Sequence, residues 1–463
     1  MAQEFDVVVI GGGPGGYATA LYGAAAGLSV GMVEEGRVGG TCLHRGCIPA
    51  KELLQTAEVY RTVAGAKEFG VDAGQPALDL SVSQQRKQAV IDRLTKGLES
   101  VLKGRKVTVF PGRGRVADAA GHVARVSDGT EIRGTKALVL ATGSAPRSLP
   151  GLDFDGERIM SSDHVLDLDR VPPRVAVVGG GAIGCEFASF LGDVGSDVTV
   201  LEALPQILTG VDKDAADVVV KAFRKRGIKT LTGVKVAGAE PNGEGVVIRY
   251  AAGKGEQSLA VDLVVVSVGR RPRSEGIGLE GSGVEVDDRG FVVVDGLMRT
   301  SVAGVHAVGD LVATPQLAHV GFAEAIVTVK AILGEPVVPI DYTKVPWGIY
   351  CHPEVAFCGL TEAQAKDAGR DVVTSSHRFM GNGRALIIGE SDGLVKVVAE
   401  RDGPILGVHI AGPWATELLA EGYLAVNWEA LPEEVAAFVH PHPTLSEVFG
   451  ETALSLTGRS LHG

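Results

Sequence analysis

Two cysteines stand close together near the start of the chain, in the segment GGTCLHRGCIPAKELL at residues 39–54. Cys42 and Cys47 are five positions apart, directly ahead of a stretch whose pattern predicts a helix. The 463-residue chain has only five cysteines. In a reducing compartment, a close cysteine pair is more often catalytic or metal-binding than structural. The first chemistry to consider is therefore a disulfide that accepts electrons and exchanges them with another disulfide.

Two alternatives for this pair stay open on the residues alone. A structural disulfide would close so short a loop that it would constrain the unfolded chain little. A zinc site could use His44 as an extra ligand, but a fourth ligand at a usual spacing is missing, so no metal is expected. A helix beginning near Cys47 would stabilise a thiolate there, and Lys51 lies four residues later on the same helical face. Alone, Lys51 also fits a solvated surface lysine.

The segment HPHPTLSE, at residues 440–447, could supply a base. Disulfide exchange needs a group that holds the proton of an attacking or leaving thiol, and histidine does so near neutral pH. Glu447 could orient and stabilise the imidazolium of His442. Alone, the motif fits a proline-rich turn with two solvent-facing histidines better than a catalytic base. The other cysteines are predicted to be buried core thiols: Cys185, Cys351 and Cys358.

Two βαβ units with glycine-rich turns are the elements that must position these groups. Residues 5–35 and 174–202 each read as a strand, a GxGxxG turn, a helix and a second strand followed by an acid. The first glycine makes the tight turn, the second lets backbone approach a pyrophosphate, and the third lets the helix pack on the strand. The glycines are Gly11, Gly13 and Gly16 in the first copy, and Gly179, Gly181 and Gly184 in the second.

The acids that end these units are candidate ribose ligands. Glu34 and Glu202 each lie 23 residues after the first glycine of their unit. The repeat predicts two bound dinucleotides. A carboxylate at Glu202 accepts hydrogen bonds from a ribose 2′-OH but repels a 2′-phosphate, and the following EALPQ has no arginine, so NAD is favoured over NADP.

Composition limits the class of protein. The net charge is −12, without long charged blocks, so no nucleic-acid partner is expected. The longest apolar runs fall well short of the ~20 residues of a membrane span. The amino terminus lacks the charged and apolar regions of a secretory signal, and a cytoplasmic location is the expectation.

With these motifs together, the chain resembles the flavin-dependent pyridine nucleotide disulfide oxidoreductases. The resemblance covers nearly the whole chain, through GGGPGG, GGTCLHRGCIPAK, LATGS, GGGAIG, SVGRRP, AVGDL, LAH and HPHPTLSE. It implies an α/β fold with two Rossmann-like dinucleotide-binding domains, for FAD and NAD, and a C-terminal α+β dimerisation domain. The implied domains are an FAD domain at 1–150, an NAD domain at 151–270, a central domain completing the FAD site at 271–345, and an interface domain at 346–463.

The resemblance also implies roles for individual residues. Cys47 would be the flavin-proximal sulfur and Cys42 the interchange thiol, with His442 and Glu447 reaching the pair from the other subunit of a homodimer. His44 and Arg45 depart from the family pattern and add charge beside the pair. The implied FAD site comprises Gly11, Gly13, Gly16, Glu34, Thr41, Lys51, Gly114, Gly143, Asp310 and Ala318. The implied NAD site comprises Gly179, Gly181, Gly184, Glu186, Glu202, Gly269 and Arg270.

The activity that the resemblance implies is oxidation of a dihydrolipoyl group on a partner protein, with reduction of NAD+ through FAD and the Cys42–Cys47 disulfide. The partner would be a lipoyl-bearing acyltransferase or the glycine-cleavage carrier protein of a multienzyme complex. One alternative is an NAD(P)H-dependent reductase of another small disulfide such as glutathione. A second alternative is a flavoprotein scaffold without turnover.

Overall fold

A computed structural model describes residues 2–243, 245–253 and 255–462 of the chain. The chain forms two compact units, each assembled from three separate segments. The first unit contains Met1–Glu52, Ser81–Arg147 and Arg270–Tyr342. The second contains Leu53–Leu80, Ser148–Gly269 and Thr343–Gly463.

A seven-stranded sheet forms the centre of the first unit. Runs of buried valine, isoleucine and leucine form its parallel strands, as expected for strands covered on both faces. In spatial order the strands are Thr108–Pro111, Val30–Glu34, Gln3–Ile10, Glu131–Leu140, Val123–Val126 and Gly114–Asp118, and Val305–Ala307 also pairs with Glu131–Leu140. A separate two-stranded sheet pairs Ser144–Pro146 with Arg270–Pro272. The helices that begin in this unit, or at its Leu80 boundary, are Pro14–Ala25, Gly40–Arg45, Cys47–Gly65, Leu80–Gly104, Ala318–Leu333 and the 3₁₀ turns Gly309–Leu311 and Tyr342–Lys344.

Three sheets form the second unit. The parallel sheet has the order Lys229–Leu231, Asp197–Leu201, Arg174–Val178, Leu263–Val266 and Ile159–Ser161. A small antiparallel sheet comprises Lys235–Asn242, Gly245–Ala252 and Gly255–Val261. The last, antiparallel sheet has the order Trp347–Ile349, Glu354–Gly359, Ile405–Gly412, Leu394–Glu400 and Val372–Arg378. The helices are Ser162–Val165, Ala182–Asp193, Lys213–Lys225, Glu362–Asp367, Gly383–Ile387, Ala415–Asn427, Pro432–Ala436 and Glu447–Leu456, with 3₁₀ turns Ala66–Phe69 and Phe379–Gly381.

The predicted fold class is confirmed, since both βαβ units form around parallel sheets and the last part of the chain is an antiparallel sheet with helices. The basic segment after Leu263–Val266 forms a strand, in which Arg270–Pro272 pairs with Ser144–Pro146. The three-stranded sheet at 235–261 is an element that sequence reasoning missed. In the described part of the chain, no helix has the length and apolar character needed to cross a bilayer.

A buried ion cluster joins the parallel and the last antiparallel parts of the second unit. The Nζ atom of Lys396 lies 3.0 Å from Asp212, 2.7 Å from Asp214 and 2.7 Å from Glu362. The side chain of Lys396 is 5% exposed and that of Asp212 is 3% exposed. Burial acts to lower the pKa of Lys396, but its hydrogen bonds to the carboxylates outweigh burial and raise that pKa above its ordinary value.

Candidate active site

The two cysteines lie on two successive helices, separated by a glycine. Gly40–Arg45 carries Cys42, and Cys47–Gly65 begins at Cys47, which confirms the predicted helix start. Both cysteines are partly buried. Gly39 begins the first helix in a left-handed conformation with φ of 113°, and its N–H donates to the carbonyl of Gly12 at 2.8 Å. A backbone hydrogen bond therefore connects the cysteine segment to the first glycine-rich turn.

The environment of the pair controls where its protons reside. A hydrogen bond with Cys47, together with burial, holds the pKa of the Cys42 thiol well above its ordinary value, and the charge of Lys51 opposes this shift. Burial and the proximity of both cysteines raise the pKa of Tyr17 to about 12. Within the reduced pair, Cys42 is therefore the thiol that holds its proton more strongly than an ordinary cysteine.

The first glycine-rich turn has the form that a dinucleotide pyrophosphate requires. Gly11 has φ of 105°, and a side chain there would collide with the carbonyl of Ala141. A side chain at Gly16 would collide with the carbonyl of Gly11. Gly13 precedes the helix Pro14–Ala25, whose first turn has no side-chain cap and no acidic residue. The amide groups and positive end of this helix thus fit an anionic ligand.

The second turn repeats this arrangement. Gly179 has φ of 101°, and a side chain at Gly184 would collide with the carbonyl of Gly179. A Cβ atom added at Gly181 would have no neighbouring atom within 4 Å, and this glycine precedes the uncapped helix Ala182–Asp193. The residues present in both copies therefore fit a pyrophosphate.

The two candidate ribose ligands make matching hydrogen bonds. Glu34 accepts the N–H of Gly12 at 2.6 Å and that of Gly36 at 2.8 Å. Glu202 accepts the N–H of Gly180 at 2.6 Å and that of Leu204 at 2.8 Å. A carboxylate oxygen has more than one lone pair, so each side chain is oriented by backbone while it retains acceptor capacity for ribose hydroxyls.

Further residues of the implied FAD site lie in the first unit. Ser144 donates to Asp310 at 2.5 Å, and the Nε atom of Arg270 donates to Ser144 at 2.7 Å. Arg270 thus lies beside Asp310, with 3.8 Å between its Nε and a carboxylate oxygen, and its place at the border of the NAD site stays a prediction. The remaining positions are Thr41 on the helix of Cys42, Gly114 at a strand start, Gly143 with φ of 72°, and Ala318 at the start of an uncapped helix.

Glu186 lies one turn into the helix that follows the second glycine-rich turn. Its carboxylate is buried, with 6% exposure, and accepts the N–H of Tyr350 at 2.9 Å. Gly269, the other position assigned to this site, has φ of 103°, and a Cβ atom added there would meet no neighbouring atom within 4 Å. Glu186 is thus held by burial and a backbone hydrogen bond, and Gly269 has a backbone conformation that favours glycine. Contact of these two residues with a nicotinamide stays a prediction.

The structure brings His442 and Glu447 together. Nδ1 of His442 lies 2.9 Å from Oε2 of Glu447, with the imidazole side chain 78% exposed and the carboxylate 20% exposed. The other carboxylate oxygen accepts a hydrogen bond of 3.0 Å from the amide of Asn382. The ionised carboxylate of Glu447 has no proton to donate, so in this hydrogen bond Nδ1 of His442 is the donor. Nε2 of His442 is then left unprotonated and can accept a thiol proton.

Sequence reasoning gave no role to two residues around these groups, Asn382 and Ser144, and it left His440 open as a solvent-facing histidine. Asn382 was not considered, although an asparagine directly before a short apolar helix is a capping signal. His440 is not a solvent-facing residue, because its Nε2 bonds Glu421 at 2.9 Å and its side chain is 12% exposed. Ser144 lies in the LATGS motif but was given no role of its own. His44, flagged as a departure from the family, bonds the carbonyl of Val38 at 2.9 Å.

The remaining cysteines are confirmed as core residues, since Cys185, Cys351 and Cys358 are all 0% exposed. Burial holds the pKa of Cys185 and of Cys351 well above the ordinary value for a thiol. Among the described residues, no group of three or more histidine, cysteine, aspartate or glutamate side chains could hold a metal ion.

This combination defines a class of enzyme. Two dinucleotide turns, a cysteine pair beside the first, and a histidine–glutamate pair in a separate domain are the parts of a nicotinamide-linked disulfide enzyme. Residues 5–325 match the pyridine nucleotide-disulphide oxidoreductase family, and residues 345–453 match the dimerisation domain of that family. The chain belongs to the pyridine nucleotide-disulphide oxidoreductase family, and the prediction of FAD and NAD as cofactors is confirmed by this membership.

Within this family, the chain is similar along its whole length to proteins named dihydrolipoyl dehydrogenase. Dihydrolipoyl dehydrogenase of Bacillus subtilis (strain 168) is 41% identical over 474 residues, covering 100% of both chains. Dihydrolipoyl dehydrogenase of Thermus scotoductus is 40% identical over 464 residues, covering 99% of each chain. Among solved structures, LpdA from Mycobacterium tuberculosis has a TM-score of 0.90 and 26% identity, covering 98% of this chain and 100% of its own. The HOCl-induced flavoprotein disulfide reductase RclA from Escherichia coli has a TM-score of 0.85 and 25% identity, covering 97% and 99%.

Proposed function

We propose that the protein is a dihydrolipoyl dehydrogenase, which oxidises a dihydrolipoyl dithiol to the cyclic disulfide and reduces NAD+ to NADH. The observation that carries this proposal is the pair of cysteines joined to a dinucleotide turn, in a chain 41% identical end to end to a relative of that name. When bound, FAD and NAD supply the redox chemistry that takes two electrons from the cysteine pair and stores them as hydride.

The chain's own residues perform thiol–disulfide exchange. In the oxidised state, one substrate sulfur attacks Sγ of Cys42, the Cys42–Cys47 bond breaks, and Cys47 leaves as a thiolate. The second substrate sulfur then attacks the first, and Cys42 leaves. The substrate loses two electrons and two protons, and the cysteine pair gains the two electrons. The helix that begins at Cys47 and the charge of Lys51 favour the thiolate.

His442 and Glu447 manage the protons. Nε2 of His442 accepts the proton of the attacking substrate thiol, while Glu447 holds Nδ1–H and stabilises the imidazolium. The base then returns this proton to the leaving sulfur of Cys42 and takes up the proton of the second substrate thiol, so that the two substrate protons end on Cys42 and His442. The raised pKa of Cys42 supports this role, because that thiol binds its proton strongly when the pair is reduced.

The cofactor assignments follow the two turns. Gly11, Gly13, Gly16 and Glu34 would hold FAD, with Thr41, Lys51, Gly114, Gly143, Asp310 and Ala318 completing that site. Gly179, Gly181, Gly184 and Glu202 would hold NAD, with Glu186, Gly269 and Arg270 near the nicotinamide. The carboxylate of Glu202 accepts ribose hydroxyls and repels a 2′-phosphate, which supports NAD over NADP.

The working form is a homodimer in this proposal, in keeping with the matched dimerisation domain at residues 345–453. Apolar side chains exposed within that domain suit burial against a second copy: Trp428 at 76%, Phe438 at 69% and Val439 at 97% exposure. The last two stand a few residues before His442, which would serve the cysteine pair of the second subunit. The domain limits of 150, 270 and 345 remain part of this proposal.

The substrate dithiol would be carried by a lipoyl-bearing acyltransferase or by the glycine-cleavage carrier protein, in the cytoplasm. A substrate panel tests the function. The purified holoenzyme is offered dihydrolipoamide with NAD+ or NADP+, and glutathione disulfide with NADH or NADPH, while flavin absorbance is followed. Rapid turnover of dihydrolipoamide with NAD+ is expected. Preference for glutathione disulfide would indicate the alternative reductase, and flavin binding without any turnover would indicate a scaffold.

The shared site has its own test. Cys42→Ser and His442→Ala chains are each expected to be inactive with dihydrolipoamide. Dissociating, mixing and reassociating the two should restore partial activity, because a heterodimer contains one site with both native groups. Mixed dimers without activity would contradict a site built from two subunits.

A further inference from the structure

Asn382 is a buried side chain, 6% exposed, whose three polar contacts are all satisfied. Its Nδ2 donates to the carbonyl of Thr444 at 2.9 Å and to Oε1 of Glu447 at 3.0 Å. Its Oδ1 accepts the N–H of Ala385 at 2.9 Å. The two partners of Nδ2 are acceptors and the partner of Oδ1 is a donor, so only one orientation of the amide satisfies all three contacts.

Helix capping alone does not account for this residue. Asn382 caps Gly383–Ile387 through Oδ1, a task that an aspartate, serine or threonine performs equally. The chain uses those residues elsewhere in the same unit, with Asp212, Ser161 and Thr361 accepting hydrogen bonds at other helix starts. What asparagine adds is the NH₂ group, and that group is directed entirely at the segment carrying His442 and Glu447.

We propose that Asn382 is a positioning residue for the His442–Glu447 base, which fixes the carboxylate and the loop before it in the arrangement that thiol exchange needs. This inference rests on the proposed function and adds a residue to its machinery. Asn382 does not contact the substrate in this account; it acts through Glu447.

The contacts show how the amide does this. The two oxygens of Glu447 are divided: Oε1 accepts from Asn382 and Oε2 faces Nδ1 of His442 at 2.9 Å. The carboxylate therefore cannot rotate without losing one partner. The second N–H of the Asn382 amide donates to the carbonyl of Thr444. The hydroxyl of Thr444 in turn accepts the N–H of Glu447 at 3.3 Å. Since His442 is largely exposed, these inner contacts are what restrain the base.

Two substitutions separate the NH₂ group from the cap. Asn382→Ser keeps a capping oxygen but is too short to reach Glu447, whereas Asn382→Asp keeps both size and cap while placing a carboxylate against two acceptors. Asn427→Ser is a control at an exposed asparagine of the same unit, whose amide donates to the carbonyls of Lys344 and Tyr423 and has no contact with Glu447. Each holoenzyme is assayed in two half-reactions, flavin reduction by dihydrolipoamide and flavin reduction by NADH.

We expect Asn382→Ser to slow the dihydrolipoamide half-reaction by about 10- to 100-fold, since misplacement of a catalytic group costs on that order. Asn382→Asp should be slower still, because its charge repels Glu447. The NADH half-reaction should stay within about twofold in both variants, and Asn427→Ser should change neither. Equal loss of both half-reactions, or loss of neither, would overturn the inference, because a merely structural asparagine predicts one of those results.

The wild-type enzyme separates this result from the proposed function. If wild type turns over glutathione disulfide instead of dihydrolipoamide, the proposed substrate is wrong, and the variants are compared in that thiol reaction, which needs the same base. Selective loss of it in the Asn382 variants would still support positioning, and unchanged rates would refute it. A wild-type enzyme without any thiol reaction would overturn both proposals.

Discussion

Replacing Glu447 by glutamine would reverse the hydrogen bond that sets the protonation pattern of His442. In the native protein, Oε2 of Glu447 accepts from Nδ1 and leaves Nε2 to take a thiol proton. In Glu447→Gln, the amide of Asn382 still donates, so the glutamine oxygen occupies the Oε1 position. The glutamine NH₂ then faces Nδ1 of His442 and stabilises the tautomer whose Nε2 is already protonated.

The size of the effect follows from two lost interactions. A hydrogen bond to a charged group contributes about 1.5–3 kcal/mol, and reversing a neutral one costs about 1 kcal/mol more. At ~1.4 kcal/mol per tenfold change in rate, the sum corresponds to roughly 10²- to 10³-fold. His442 is 78% exposed, so water replaces part of the lost stabilisation and the lower end, about 10²-fold, applies.

The assay is the rate of flavin reduction by dihydrolipoamide, compared with that by NADH. Glu451→Gln is a closely matched control, since Glu451 lies one turn later on the same helix and bonds His462 at 3.3 Å. Exposure of that imidazole and carboxylate, 79% and 21%, nearly equals the 78% and 20% of the His442–Glu447 pair. We expect the control to stay within about threefold of wild type.

A dihydrolipoamide half-reaction in Glu447→Gln that remains within threefold of wild type would refute the tautomer argument. So would an equal loss in the control variant, because the effect would then come from the helix and not from the base. A double variant, Asn382→Ser with Glu447→Gln, should be less than additive, since the amide no longer dictates which way the glutamine points.

Three further outcomes are expected. Cys42→Ser should retain FAD and its reduction by NADH yet lose dihydrolipoamide turnover, measured by absorbance and steady-state rate. NADH should reduce the flavin much faster than NADPH, and comparable rates would contradict the role of Glu202. Lys396→Met should destabilise the second unit by about 3 kcal/mol in denaturant unfolding, because it leaves the buried carboxylate of Asp212 without its ammonium partner. Lys213→Met, at an exposed pair, is the control and should change the unfolding midpoint little. Burial raises the pKa of Asp212, but nearby His409 and Lys396 outweigh burial and hold this pKa below its value in the unfolded chain. The stability that Asp212 contributes is therefore fully present above the unfolded pKa, and it is lost as the pH falls through the folded pKa.

The repeated elements of the fold could be predicted because their pattern is local. Each βαβ unit contains its own strand, turn and helix signals, and the glycines at 11 and 179 have the positive φ that the tight turn requires. The strand Arg270–Pro272 was not predictable in the same way. It is three residues long, and its partner Ser144–Pro146 lies more than a hundred residues earlier, so its pairing depends on tertiary contacts.

The candidate reacting groups could be named from the sequence, whereas the residues that orient them could not. Cys42, Cys47, His442 and Glu447 stand out because residue type and spacing report chemistry directly. Asn382 and Glu421 lie 65 and 19 residues from the groups that they bond, and nothing in their neighbourhoods indicates the partner. Hydrogen bonds that orient a site are made across the fold, where sequence separation carries no signal.

The complete burial of Cys185, Cys351 and Cys358 makes the folded protein selective toward alkylating reagents. Iodoacetamide reaches only thiols that meet solvent, so alkylation of the reduced native enzyme, carried to completion, should be confined to Cys42 and Cys47. Cys42 should react more slowly because its raised pKa leaves less thiolate, and unfolded enzyme should gain five carbamidomethyl groups. Intact mass therefore counts the electrons stored on the cysteine pair, independently of the flavin's colour.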